Sequence, residues 1–468
     1  KVDFIPLSFN QEALWVIHNS EGSLQYHLPM IFGISGDLDI KSLKLAFRTF
    51  INRHLPLRTV IKASERGLEQ KFLDAESWSI QEIISNQTED EIMNDWPFKS
   101  MVERPFNLSE DFMIRVALFH IQPKKILLSI VVHHIAWDGW STSLFKNEIA
   151  GLYKKIRSGN QKLYPSSVLT YADFSIYQRN LLGSKLFNDS LKYWQGRLKG
   201  TIPIQLRTDY PRTALFSPAG ETYEFIIDKD IVSKLNRLAI ERNATLFMIL
   251  LAGFKALLKR YSAQEDIIVG IPVAGREHEG LEDLIGFFVN SLPIRTKVDG
   301  NYSFDDLLNH VKTNTLEAFE HGHVPFSEIV KLSDDFRITG RNPIFQVLFV
   351  MQNNTSSTLN LDGVNAQPVK APNQTSSFEL TLEIKENQDQ LIASMEYQTA
   401  LYSSSTISRM SGHYLALLEA ITLDPKEKVD NLNLLTVEEK NFVLAANKDF
   451  VLPEDLKEKT MVALIEEQ

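Results

Sequence analysis

Residues Ile126 to Ser141 read ILLSIVVHHIAWDGWS, and they constrain the fold more than any other stretch. From Ile126 to Val132 the run is apolar but for Ser129 and largely β-branched, the mark of a buried strand. It stops on His133 and His134. Successive strand side chains point to opposite faces, so only one histidine can face a given cavity while the other packs behind it. Asp138 and Gly139 follow, a pair suited to a tight turn or a close backbone approach, with Asp138 placed to brace what precedes it. An imidazole held at a strand end is a reasonable general base. A structural histidine fits the same pattern, and these residues alone do not separate the two readings.

A chain of 468 residues is long for one core, so two lobes and a tail are expected. No apolar run approaches the roughly 20 residues of a membrane span, and KVDFIPLSF at the start lacks the pattern of a secretory signal. With no cysteine, there is no disulfide, thiol nucleophile or thiolate-held zinc, and a reducing cytoplasm is the expected location. A net charge of -10 argues against a general nucleic-acid binder. No histidine or carboxylate cluster has metal-ligand spacing on one element, so no metal is expected.

Along the chain, Ser8 is placed to cap a first helix, and Asp39 a second that carries Leu43, Ala46, Phe47, Phe50 and Ile51 at helical spacing. Lys41, Lys44 and Arg48 on that helix form a basic face, either solvated or open to an acidic partner. Met113 to His120 reads as a strand beside the histidine strand, giving an α/β (α+β) half with a largely antiparallel sheet. Gln178 to Leu198 reads as one charged helical run, and 208–220 as a crossover between lobes. A second α/β pattern begins with the apolar helix 244–262, capped by Thr245, and the strand 266–273, which leads to the loop Ala274-Gly275-Arg276. Strands are expected at 345–351, 378–384 and 391–397, with a closing helix at 405–421. From Asn431 the chain reads as a linker that stops within a helix, as a piece of something longer would.

His133-His134-Ile135-Ala136-Trp137-Asp138-Gly139 fits the HHxxxDG signature, and other segments extend the match in order. They are Ser8, Gln11, Leu14 and Trp15; Arg53-His54 with Leu57-Arg58-Thr59, where Leu55 replaces a usual Glu; and Tyr171 to Phe174. Ile285 to Ser291 with Arg295, then His321 to Glu328, where Gly322 and Ser327 depart from the commoner residues, and Arg341 to Phe345 complete the series. Over nearly its whole length the chain resembles the condensation domains of nonribosomal peptide synthetases, within the chloramphenicol acetyltransferase-like superfamily. The opening and Tyr26-His27-Leu28-Pro29 most resemble domains that join an L-configured donor to an L-configured acceptor.

The resemblance implies two acetyltransferase-like lobes, 1–175 and 176–430, in a V-shaped pseudo-dimer with a central tunnel. Residues 431–468 would be a linker and the start of a downstream adenylation domain. Amide formation is implied between a donor acyl or peptidyl thioester and an acceptor aminoacyl thioester, each on the 4'-phosphopantetheine of a carrier protein upstream or downstream. The domain itself would bind no cofactor and be monomeric as an isolated piece. His134 is expected to act as general base or to hold the amine, Gly139 to offer an oxyanion N–H, and Asp138 to form a bracing ion pair. His133 is structural, and Arg58 or Arg295 is the expected partner of Asp138. Trp140, Ser141, Asn290 and Ser291 are expected near the tunnel. A free-standing acyltransferase, an epimerisation domain and a non-catalytic docking module are the alternatives.

Overall fold

The computed structural model describes residues 4–448 apart from 86, 123–124, 160–168, 214–215, 333–340, 353–357, 371–374 and 388. Of the tail 431–468, expected to be a linker and the start of an adenylation domain, residues 449–468 lie outside the described residues. The principal helices are α1 (Phe9–Glu21), α2 (Ile40–Arg53), α3 (Gly139–Arg157), α4 (Tyr171–Asn180), α5 (Lys185–Leu198), α6 (Leu246–Ser262), α7 (Ser404–Leu423) and α8 (Val437–Lys448). The strands of the two large sheets are β1 (His27–Gly36), β2 (Gln81–Ile84), β3 (Ile114–Gln122), β4 (Lys125–His133), β5 (Gly220–Ile227), β6 (Asp266–Val273), β7 (Asn290–Lys297), β8 (Val347–Gln352), β9 (Val364–Val369), β10 (Leu380–Asn387) and β11 (Gln390–Gln398).

One sheet has the order β9-β1-β4-β3-β2 and the other β5-β11-β10-β8-β6-β7. The fold is therefore mixed α/β. The first sheet is antiparallel except where β2 pairs with β3. Its outer strand β9 comes from the second half of the chain, so the sheets do not divide at 175/176.

Each sheet has its own core. The first gathers Phe47, Phe50, Leu128, Val131 and Trp137, the second Ile249, Phe254, Leu382 and Tyr414. Burying a side chain of this size contributes about 1.5–3 kcal/mol. Ser8, Asp39 and Thr245 cap α1, α2 and α6 as their sequences require. α6 is buried from Met248 to Lys259, and the Lys255 amine inside it donates to the Ile267 and Ile294 carbonyls.

Three expectations need correction. The helical run expected over 178–198 is two helices, because the chain turns at Gly183 with φ +77°. The linker read from Asn431 does not start free of the second core. Val429 N–H donates to the Tyr302 carbonyl at 2.9 Å and Asp305 N–H to the Pro425 carbonyl at 2.9 Å, and Val429 and Leu432 are buried before α8 begins. On α2, Lys44 pairs with Glu82 and Arg48 with Glu76, so that face is not purely basic.

Candidate functional site

β4 is buried from Leu127 to His133 and ends there. His134 begins a 3-10 turn, His134–Ala136, so the two histidines part at a strand-to-turn junction rather than by strand alternation. His133 is buried and its Nδ1 accepts the Ile135 N–H at 3.1 Å, capping that turn. His134 is partly exposed. Its Nδ1 is buried without a well-formed hydrogen bond, so Nε2 is the nitrogen that opens outward. Burial lowers the His134 pKa, while Asp138 and the nearby backbone carbonyls of His134 and Trp137 act against that shift. The imidazole is neutral near pH 7. The Phe287 ring lies 4.6 Å from it and the Tyr26 ring 6.4 Å, both edge-on. Burial, with Glu21 adding to it, pushes the Tyr26 hydroxyl up to about 12.

Asp138 caps α3, accepting the Ser141 N–H at 2.9 Å and the Ser141 hydroxyl at 2.8 Å. Its partner is Arg276, whose Nη2 lies 3.1 Å from both carboxylate oxygens. Both side chains are only 3% exposed. Arg276 also donates to the Leu281 and Leu284 carbonyls at 2.5 and 2.7 Å, and its guanidinium lies 4.1 Å from the Phe288 ring centre. The Phe288 N–H completes the shell of Asp138 at 3.2 Å.

The two arginines expected for this role are elsewhere. Arg58 donates to the Leu73 carbonyl, beside the ribbon Thr59–Ser64/Gly67–Phe72. Arg295, on the edge strand β7, is held by Asp266 of the adjoining β6 at 2.7 Å, so its charge is met before it could reach Asp138. Arg276 was legible only as part of a loop, since nothing in its local sequence announces a partner on another element.

Gly139 is exposed at the first position of α3, and a Cβ built there meets nothing within 4 Å. Among the described residues no neighbour requires the glycine, and its N–H belongs to the open end of a 19-residue helix. Trp140 is 41% exposed and donates to the Glu282 carbonyl at 2.9 Å, tying α3 to the loop after β6. Ser141 is buried. Its hydroxyl, whose proton goes to Asp138, accepts the Gly286 N–H at 3.2 Å and so bridges α3 to the loop before β7.

Asn290 is also corrected. Its amide donates to the Gly322 and Val324 carbonyls at 2.9 and 2.7 Å, and its oxygen accepts the Phe326 N–H at 2.9 Å. These bonds hold the 322–326 loop and leave the side chain uncommitted to substrate. Ser291, partly exposed, sits on β7 opposite Pro272.

Tyr171 proves central, though the sequence marked it only as a motif. Its hydroxyl donates to the Phe287 carbonyl at 2.8 Å and lies 2.8 Å from Ser8 Oγ. Asn10 donates to the Val289 carbonyl at 2.8 Å. The segment bearing Phe287 is thus fixed on both sides, with its ring against His134.

A cavity of about 480 Å³ lies at the β7 edge, lined by Gly196, Arg197, Glu265, Asp266, Arg295 and Lys297, and does not include His134. Among the described residues no group of three or more histidines or carboxylates could hold a metal ion, and no helix is long and apolar enough to cross a membrane.

The sequence profile of the family described as Condensation domain matches residues 1–444. The chain is 35% identical over 469 residues to the probable non-canonical nonribosomal peptide synthetase CymA of Salinispora arenicola, a match that covers 97% of this chain and 6% of that protein. It is 33% identical over 474 residues to tyrocidine synthase 3 of Brevibacillus parabrevis, covering 100% and 7% respectively. It therefore spans a small part of these relatives. A solved structure of the X-domain from teicoplanin biosynthesis has the same fold, with a TM-score of 0.86 over 93% of this chain and 98% of that one at 24% identity.

Proposed function

This chain belongs to the condensation-domain family, and from that premise we propose that it joins a donor acyl or peptidyl thioester to the α-amine of an acceptor aminoacyl thioester. Both substrates ride on phosphopantetheine arms of carrier proteins, one upstream and one downstream, with 431–468 forming the linker and the start of a downstream adenylation domain. The observation that carries the reading is a neutral, partly exposed His134 on a turn capped by His133, beside the open N-terminus of α3.

In the reaction the amine nitrogen attacks the thioester carbonyl, the C–N bond forms and the C–S bond breaks. One amine proton passes to the pantetheine sulfur. Neutral Nε2 of His134 suits either removal of that proton or a single hydrogen bond that orients the amine. The Gly139 N–H, at the positive end of α3, is the candidate donor to the developing oxyanion. Asp138 and Arg276 touch no reacting atom in this scheme. They hold the turn and the Phe287 segment in register. The L-donor, L-acceptor preference belongs to the same proposal.

Single-turnover reaction between two loaded carriers, read by mass spectrometry, tests it. Wild type should yield a carrier-bound amide, faster with an L than a D donor, and His134→Ala should lose about 10²–10⁴-fold in rate if the imidazole moves the proton. Retained activity in the variant would leave His134 as a positioning group. Absence of product with every pair would favour a docking module.

A further inference from the structure

Behind His134 the hydrogen bonds run in one direction. The Ile135 N–H donates to His133 Nδ1 at 3.1 Å, and an amide N–H can only donate, so Nδ1 carries no proton. The His133 proton is therefore on Nε2, which lies 2.9 Å from Ser23 Oγ. Ser23 receives that proton's bond and gives its own hydroxyl proton to His18 Nδ1 at 2.7 Å. Ser23 and His133 are buried, whereas His18, on α1, is partly exposed and ends the chain of bonds toward solvent. Each donor fixes the tautomer of the next member.

We propose that Ser23 and His18 are positioning residues, which hold His133 in the tautomer that caps the His134 turn, and that a proton on His18 interrupts the relay and loosens that turn. A protonated His18 presents Nδ1–H to Ser23. Ser23 then faces two donors, and its own hydroxyl proton has no acceptor in a buried site. His133 cannot compensate by moving its proton to Nδ1, because that nitrogen would then confront the Ile135 N–H.

The surrounding groups offer no relief. His27 on β1 lies 5.8 Å from the His133 ring, with its Nδ1 donating to the Val102 carbonyl. Arg115 on β3 sits 3.6 Å over Phe106, whose ring is 5.5 Å from His133. The groups whose charges act on His133 are His27, His18, His134 and Arg115, all neutral or cationic. Glu21, on α1, acts on Tyr26. Burial lowers the His18 pKa, which places the interruption on the acid side of the ordinary histidine range.

The rate readout rests on the condensation reading, whereas a spectroscopic readout does not. Single-turnover amide formation is followed from about pH 5 to 8 for wild type, Ser23→Ala, His18→Leu and His18→Asn, with unfolding midpoints checked alongside. Asn keeps an acceptor near the Nδ1 position but cannot take a proton. Ser23→Ala and His18→Leu should be slower by about tenfold. His18→Asn should recover most of what His18→Leu loses, and its acid limb should lie at lower pH than that of wild type. Titration of the acceptor amine is common to all four proteins, so the difference between limbs isolates His18. Wild-type rate in Ser23→Ala, or the same acid limb in His18→Asn and wild type, would overturn the proposal. Nitrogen-15 imidazole spectra of the full chain should place the His133 proton on Nε2, and a proton on Nδ1 would overturn the relay whatever the kinetics. If wild type makes no amide at all, the functional reading fails and the spectra alone decide the relay.

Discussion

Arg276→Met removes the guanidinium that pairs with Asp138 and keeps a stem of similar length. The buried carboxylate would lose two contacts of 3.1 Å and the cation beside it, retaining the Ser141 N–H, the Ser141 hydroxyl and the Phe288 N–H. Breaking a buried pair from one side costs about 3–5 kcal/mol, and the surviving donors place this case at the low end, near 3 kcal/mol. The Leu281 and Leu284 carbonyls also lose their donor, each worth about 1 kcal/mol. Denaturant unfolding of wild type, Arg276→Met, Asp138→Asn and the double variant, followed by circular dichroism, gives the coupling directly. It should be at least about 2 kcal/mol, with the double variant more stable than the sum of the singles predicts. Additivity within about 0.5 kcal/mol would refute the claim that these two residues act as one unit. Single-turnover rates should fall in both single variants, because Asp138 caps α3 and also binds the Phe288 N–H next to Phe287.

Three further predictions concern the surroundings of the site. Gly286→Ala would place a Cβ 2.2 Å from the Tyr171 ring and 2.8 Å from that of Phe288, so the strand entry must shift. Overpacking of this kind costs about 1–3 kcal/mol, and a single-turnover rate equal to wild type would show that the Phe287 segment tolerates the shift. Tyr171→Phe frees the Phe287 carbonyl and Ser8 Oγ, and its unfolding midpoint should fall by the equivalent of about 1–2 kcal/mol while the fold persists. Burial lowers the His27 pKa to about 4, the Val102 carbonyl acting against it. The unfolded chain then binds the extra proton between the ordinary value near 6.5 and about 4, so stability is full above that window and is lost as pH falls through it. The loss attributable to His27 is about 3 kcal/mol, and His27→Gln should flatten the pH dependence of the unfolding midpoint by that order.

The parts of this protein that were legible in its sequence are those written locally. The β4 run, the caps at Ser8, Asp39 and Thr245, and the helix 404–423 follow from side-chain periodicity and from backbone groups that need partners within a few residues. The HHxxxDG signature, also local, points to the family only together with the other matching segments that stand in order along the chain. Illegible were pairings between distant elements. Asp138 demanded a cation, but charge alone did not distinguish Arg276 from Arg58 or Arg295, and register decided the matter. Asn290 was read as a polar group near substrate, yet the loop at 322–326 takes both of its amide protons and donates to its oxygen. The membership of β9 in the first sheet carries no sequence signal either, since an edge strand pairs through backbone groups common to every residue.

The site itself exists only where the two halves meet, and this constrains how it can be regulated. Asp138 and Ser141 come from the first half, and Arg276, Gly286 and Phe288 from the second, joined by hydrogen bonds that permit little slack. α1 and α4 add a second attachment through Asn10 and Tyr171, which hold the carbonyls flanking Phe288. The Phe287 ring, fixed between these attachments, is the surface that meets His134. A rotation of one sheet against the other would have to break the Asp138 shell or carry the Phe287 segment with the first half. In the first case the turn bearing His134 loses its brace. In the second, the loop between β6 and β7 must absorb the motion, since both of its ends, Val273 and Asn290, are paired within the second sheet. The bonds from Asn290 to 322–326 hold the β7 end of that loop within the second half.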